Sequence, residues 1–266
     1  MTHQFGLAKA AAPGQAWIGK LKTVALDLLF PPHCAACQRL GAWLCADCIG
    51  KVEAIVPPLC PRCGLPQASP PIGDPRGTLC GRCQASPIRL DGLRAYAIHD
   101  GPLRKAIHAF KYEDLRGLAA LLGQLMEDGW TRLAPHDLEL DAIVPVPLHR
   151  SRQRQRGYNQ AALLARELGQ RLQIPVIEDA IVRSKATAPQ VDLNAQARRA
   201  NVRDAFRCEG NSLSGKHVLL VDDVCTSGAT LESACLALRG AGVSSVWACT
   251  LTRARPDTGA VDPPGD

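Results

Sequence analysis

The segment VLLVDDVCTSGATL, from Val218 to Leu231, constrains the fold more than any other part of the chain. A β-branched apolar run enters two carboxylates, Asp222 and Asp223, crosses a turn of small residues from Thr226 to Thr230, and continues as a helical pattern. An unbroken apolar run suits a strand buried on both faces, as in a parallel sheet covered by helices. The turn and the helix start leave backbone N–H groups unpaired and aimed at one locus, where the helix dipole favours an anion. Ser227 and Thr230 can add hydroxyl donors, Thr226 and Ala229 keep the turn small, and Gly228 lets backbone approach a ligand closely. Phosphate is the expected anion. Two acids beside it make sense if the ligand also carries neutral hydroxyls, and Asp222 and Asp223 suit the 2′- and 3′-hydroxyls of a ribose. A plain strand-to-helix turn with two capping acids is the competing reading. Neither GxxxxGKS/T nor GxGxxG occurs, which argues against a nucleoside triphosphatase and a dinucleotide enzyme.

The first third of the chain has a different chemistry. From Pro31 to Leu90 there are ten prolines, scattered large apolar residues and four Cys-x-x-Cys pairs. Such a segment cannot bury enough surface to fold alone, so a metal must supply the missing stability, roughly 10–16 kcal/mol apparent per structural zinc. The pairs are Cys34/Cys37, Cys45/Cys48, Cys60/Cys63 and Cys80/Cys83. Each turn presents two sulfurs and two turns complete a tetrahedral site, so two structural zinc ions are expected, paired consecutively in the simplest assignment or interleaved. Four sulfurs per ion leave no open position for catalysis. Seven histidines show no ligand spacing with the cysteines, and Cys208, Cys225, Cys235 and Cys249 read as buried thiols.

Metal also changes the charge argument. The formal net charge is +6, but eight thiolates around two Zn²⁺ ions add −8 + 4 = −4 and leave about +2. Global basicity is therefore weak support for a nucleic-acid partner, and any such case rests on local clusters. No apolar run reaches the roughly 20 residues of a membrane span and no cleavable leader is recognisable, so the expected compartment is the cytoplasm.

Residues Trp17, Ile18, Leu21, Val24, Ala25, Leu28 and Leu29 recur at helical spacing, predicting an amphipathic helix within 1–30 that Phe30-Pro31-Pro32 ends. Beyond residue 90 strands and helices alternate. Strands are expected at Arg94–Ile98, Ala142–Val146, Val176–Val182, His217–Val221 and Val246–Leu251, with helices near Leu103–Phe110, Leu115–Trp130, Asn159–Leu172 and Thr230–Arg239. The Pro-, Gly- and Asp-rich residues 256–266 read as a disordered tail. Two basic clusters stand out. Arg150, Arg152, Arg154 and Arg156 alternate just after Val146 and Pro147, at a strand exit of the kind where open α/β sheets bind ligands. Arg183, Lys185, Arg198, Arg199, Arg203 and Arg207 occupy a long segment with little apolar periodicity.

The acid pair and turn resemble the phosphoribosyl pyrophosphate (PRPP) motif of type I phosphoribosyltransferases: two acids, an apolar residue, any residue, then Thr-Thr-Gly-x-Thr, with Ser227 at the second Thr. With the cysteine knuckles, PVPLHRSRQRQRGYNQ and RSKATAPQVDLNAQARRANVRDAF, the chain from Leu26 to Arg255 resembles the ComF family, linked to natural competence and DNA uptake. The resemblance implies an α/β fold: a type I phosphoribosyltransferase-like parallel sheet with helices on both faces over 91–255, preceded by a small double zinc ribbon over 31–90. It implies PRPP with Mg²⁺ as ligand, the sugar on Asp222 and Asp223, the 5′-phosphate on Thr226 to Thr230, and pyrophosphate near Val146, Pro147 and Arg150. Lys185, Arg198 and Arg199 fall in the place of the family's catalytic loop, where cations would neutralise departing pyrophosphate. Two activities are consistent with this. One is a Mg²⁺-dependent phosphoribosyl transfer to an unidentified acceptor. The other is a non-catalytic competence factor that works with the DNA-uptake machinery, its zinc module or Arg-rich rim holding single-stranded DNA and its PRPP site regulatory or vestigial. Trp43, Tyr112 and Tyr158 are then the candidate stacking platforms.

Overall fold

The computed structural model describes residues 31–67, 78–184, 205–210 and 212–255. The expected N-terminal helix, the basic residues Lys185, Arg198, Arg199 and Arg203, and the tail lie outside the described residues. Two short helices, α1 (Ala46–Ile49) and α2 (Gly81–Ala85), belong to the cysteine-rich segment. There follow β1 (Gly92–Ile98), α3 (Gly101–Tyr112), α4 (Leu118–Leu133), β2 (Ala142–Pro145), α5 (Arg150–Arg156), α6 (Gln160–Leu172), β3 (Ile181–Arg183), β4 (Phe206–Cys208), β5 (His217–Cys225), α7 (Ala229–Gly240) and β6 (Ser245–Arg253).

Four strands form a wholly parallel sheet in the order β1-β6-β5-β2. Parallel neighbours need crossovers, and the helices that supply them bury both faces. Alternation along the central strand sorts its side chains: Val218 and Leu220 enter one core, Leu219 and Val221 the other. The first core contains α7, the antiparallel β3-β4 ribbon and the second cysteine knuckle; the second contains α3, α4, α6 and the first knuckle. The two knuckles thus flank opposite faces of one sheet. None of the described helices is long and apolar enough to cross a membrane.

Three departures from expectation have physical causes. The segment RSRQRQR forms α5, a helix with no buried residue and hence no apolar period to read; His149 caps its start and Gly157, with φ 78°, ends it. The strand expected at Val176–Val182 is split: Val176 makes only a bridge to Ile143, Glu178 turns outward to Arg166 at 2.5 Å, and regular pairing begins at Ile181. The central strand runs on through the acids to Cys225, longer than the apolar run that announced it.

Candidate functional site

The cysteine pairs assemble consecutively. Cys34, Cys37, Cys45 and Cys48 form one group and Cys60, Cys63, Cys80 and Cys83 the other, all ligand atoms in a group lying within 4.8 Å of one another. The Cys37–Cys45 and Cys63–Cys80 sulfurs are each 3.7 Å apart, close to the edge of about 3.8 Å for a tetrahedron with Zn–S of about 2.3 Å. Interleaving is excluded by this geometry, and the donor sets fit structural zinc.

The two centres repeat each other in detail. Cys45 N–H donates to Cys34 Sγ and Cys80 N–H to Cys60 Sγ, both at 3.4 Å. Gln38 and Gly64 follow the second cysteine of each knuckle with φ of 65° and 68°. Backbone N–H donors outweigh burial at Cys34 and Cys60, lowering them to about 6 and about 7. Burial, helped by neighbouring sulfurs, pushes Cys48 to about 12 and Cys63 to about 11. Four thiolates can ionise together here only around a cation.

At the C-terminal edge of the sheet lies a cavity of about 950 Å³. Three stretches converge on it: Asp222 to Thr226 with Gly228 to Leu231, Val146 to Leu148 at the exit of β2, and Arg152, Arg154 and Arg156 on α5. Asn159 holds this arrangement together. Its side-chain amide donates to Val146 O at 3.1 Å, while its oxygen accepts from Ala161 N–H at 3.1 Å and caps α6. At the turn, Gly228 takes φ 83° and Ala229 N–H reaches Ser227 Oγ at 3.4 Å.

Strand alternation sends the two acids to opposite sides: Asp222 follows Leu220 and Asp223 follows Val221. Asp223 is buried and pairs with Lys111 Nζ at 2.9 Å; its own N–H donates to Asp222 Oδ1 at 2.9 Å. Burial and the charge of Asp223 raise Asp222 to about 7, although Lys111 pulls it down. An acid pair with one lysine is short of positive charge, and the cavity meets that deficit with arginines at its rim.

The expected site residues are placed as follows. Asp222, Asp223, Thr226, Gly228, Ala229, Thr230, Val146 and Pro147 line the cavity; Ser227 and Arg150 do not, Ser227 facing the second knuckle instead. Arg183 is buried, lines the cavity and sits 5.4 Å over the Phe206 ring, whereas Arg207 is turned to Glu209 at 3.6 Å. Lys111, His99 and Arg116 also line the cavity without having drawn notice in the sequence. His99 accepts or donates at Nδ1 to Thr252 Oγ1, 2.8 Å away, and burial, with Lys111, holds its ring below the usual histidine range.

Two of the three candidate stacking aromatics are engaged elsewhere. Trp43 packs on Gly117, where an added Cβ would lie 2.6 Å from its ring. Tyr158 is buried, bonded to Phe110 O and covered by Arg116 at 4.6 Å. Tyr112 alone of the three is exposed, beside His108 at 4.8 Å and under Arg156 at 4.8 Å.

Residues 25–84 match the double zinc ribbon domain and residues 155–263 the phosphoribosyl transferase domain. The chain is 36% identical over 228 residues to the DNA utilization protein YhgH of Salmonella typhimurium, covering 83% of this chain and 97% of that one. It is 34% identical over 218 residues to competence protein F of Haemophilus influenzae, covering 79% and 90%, and 28% identical over 221 residues to competence protein ComFC of Bacillus subtilis, covering 79% and 84%. Among solved structures, a glutamine PRPP amidotransferase from B. subtilis overlaps 50% of this chain and 26% of its own at 19% identity and TM-score 0.34. A purine phosphoribosyltransferase from Pyrococcus horikoshii overlaps 55% and 77% at 21% identity and TM-score 0.29. With a double zinc ribbon, a phosphoribosyltransferase domain and near-full-length relatives of this kind, the chain belongs to the ComF family of competence and DNA-utilization proteins.

Proposed function

We propose that the cavity at the sheet edge binds PRPP with Mg²⁺ and that the protein transfers the phosphoribosyl group with release of pyrophosphate. The observation that carries this is the convergence of acids, small turn and arginine helix on one cavity of about 950 Å³. The turn at the start of α7 supports binding of a 5′-phosphate. Asp222 and Asp223 support acceptance of ribose hydroxyls, and Arg152, Arg154 and Arg156 beside Val146 and Pro147 support a polyanionic leaving group.

The donor set also fits Mg²⁺, which favours six oxygens and keeps few protein ligands. Two carboxylates fall short of a protein-only site, so the remaining oxygens must come from the ligand and water. When bound, the ion would offset charge developing on pyrophosphate. Lys185, Arg198 and Arg199 are proposed to add cations on the segment between β3 and β4.

Calorimetry with PRPP and Mg²⁺ tests the binding step, comparing wild type with Asp222→Asn/Asp223→Asn. Unchanged affinity in the double variant would remove the acids from the site. Pyrophosphate release from PRPP, screened against nucleobases, amines and DNA, tests transfer.

A second function is favoured by one specific surface. The exposed Tyr112 lines the same cavity as Arg154 and Arg156, and Arg156 lies over its ring, so an anion-binding rim and a stacking ring adjoin. This supports single-stranded DNA as a partner, in keeping with the name of the DNA utilization relatives. Association with DNA-uptake machinery belongs to the same proposal.

A further inference from the structure

Ser227 faces away from the large cavity, toward the second zinc centre. Arg82, in the CGRC turn between Cys80 and Cys83, donates from Nη2 to the Ser227 carbonyl oxygen at 3.0 Å. In a trans peptide the C=O and the following N–H point in opposite directions. Holding the Ser227 carbonyl on the zinc side therefore aims the Gly228 N–H away from the zinc centre; Gly228 lies between the two spaces, lining both the small cleft and the large cavity. Gly228, with no side chain and φ 83°, has more conformational freedom than any other residue would have here, so a tie on the neighbouring carbonyl matters.

A second tie runs beside the first. Arg253 is buried, its Nη1 lies 2.8 Å from Cys225 Sγ, and its Nε has no hydrogen-bond partner among the described residues. A buried guanidinium needs a counter-charge. Arg253 shares a cleft of only about 10 Å³ with Cys63, Cys83, Arg82, Cys225 and Ser227. That is about the room for a single water, so zinc centre and turn are in close packing. Four thiolates around Zn²⁺ carry −4 + 2 = −2, which supplies the charge that Arg253 lacks.

We infer that the second zinc centre, through Arg82 and Arg253, holds the phosphate-binding turn in the shape that receives an anion, with Arg82 as a positioning residue. This deepens the PRPP reading and rests on it. Metal retention at that centre and anion binding at the turn are then coupled, and the coupling is reciprocal. The first centre, packed on the opposite face of the sheet, stands outside it.

The test uses the full zinc-loaded chain and the variants Arg82→Ala, Arg82→Lys and Cys37→Ser. Arg82→Ala should keep both zincs and its melting temperature, bind PRPP roughly tenfold more weakly for the lost charge-assisted hydrogen bond, and show faster hydrogen exchange over 224–231. Arg82→Lys should recover part of the affinity. PRPP should slow extraction of one zinc of the two by a chelator, and Arg82→Ala should abolish that protection. Cys37→Ser, which disables the first centre, should leave exchange in the turn unchanged. Wild-type exchange and affinity in Arg82→Ala would overturn the inference. If the wild-type protein binds no PRPP, the proposed function falls, yet exchange in the turn still decides: faster in Arg82→Ala supports the coupling, unchanged refutes it.

Discussion

Lys111, in the last turn of α3, places its Nζ 2.9 Å from Oδ2 of Asp223, and both side chains are largely withdrawn from solvent. The two neighbouring acids are therefore unequal: Asp223 has a cation in contact, whereas Asp222 feels Lys111 and Arg183 only through their charge. Removing one member of a buried pair leaves an uncompensated charge, which costs more than the pair itself contributes. Lys111→Met should destabilise the protein by about 2–4 kcal/mol. Adding Asp223→Asn in that background should recover most of the loss. Urea denaturation of the four proteins in a double-mutant cycle measures the coupling, and additive single effects would show that the pair contributes no energy.

The unequal acids also give a pH signature. Asp222 is raised to about 7 from 3.8, by burial first and the Asp223 charge second. A carboxyl that holds its proton more tightly when folded stabilises the fold at low pH, and that contribution is lost as pH rises from about 4 to about 7. Asp222→Asn keeps the shape and discards the charge. Its advantage over wild type should be absent near pH 4 and grow to its full size above pH 7, on the order of 4 kcal/mol before solvent relaxation. Thermal melts at acid and slightly alkaline pH read this directly. PRPP affinity should move the other way, strengthening as Asp222 ionises, because hydroxyls need the charged acceptor.

The repeat of the two knuckles predicts a contrast between equivalent positions. Gly64 has φ 68° and its missing side chain leaves room for the Leu93 carbonyl of β1; Gln38 occupies the matching place with φ 65°, exposed to solvent, and carries a side chain in the left-handed conformation. Gly64→Ala combines backbone strain with a collision against backbone and should cost about 2–5 kcal/mol. Gln38→Gly should be neutral or stabilising by up to about 1 kcal/mol. Chemical denaturation with zinc content held equal distinguishes the two; equal effects would show that the Leu93 carbonyl does not exclude a side chain at position 64.

What could be read from the sequence is what is local in it. Asp222, Asp223 and the turn to Thr230 lie in one unbroken run, and each cysteine pair spans four residues, so spacing alone carries the chemistry. The consecutive metal pairing is not local in this way, because spacing does not fix which turns meet. Lys111 escaped notice because it closes an ordinary amphipathic helix, where a lysine reads as a complement to the helix dipole. Arg82 was hidden inside a metal knuckle, and Arg253 at the end of a buried strand, each far along the chain from the turn it meets. Trp43 and Tyr158 show the converse: an aromatic in sequence does not disclose what already packs against its ring.

The rim of the cavity at Tyr112 yields a prediction about nucleic acid that separates charge from stacking. Arg156 lies over the Tyr112 ring at 4.8 Å and donates from Nη2 to its hydroxyl at 3.1 Å, so one side chain belongs to both functions. Each phosphate neutralised on a single strand contributes about 0.7 to the slope of log affinity against log salt. Arg154→Ala/Arg156→Ala should therefore weaken single-stranded DNA binding and flatten that slope by about 1.4, if each arginine meets one phosphate. Tyr112→Ala should cost about 1–3 kcal/mol at every salt concentration and leave the slope alone, because stacking releases no counterions. Fluorescence anisotropy with a labelled oligonucleotide across a salt series resolves the two effects. A steep slope that neither variant changes would place DNA on another part of the protein.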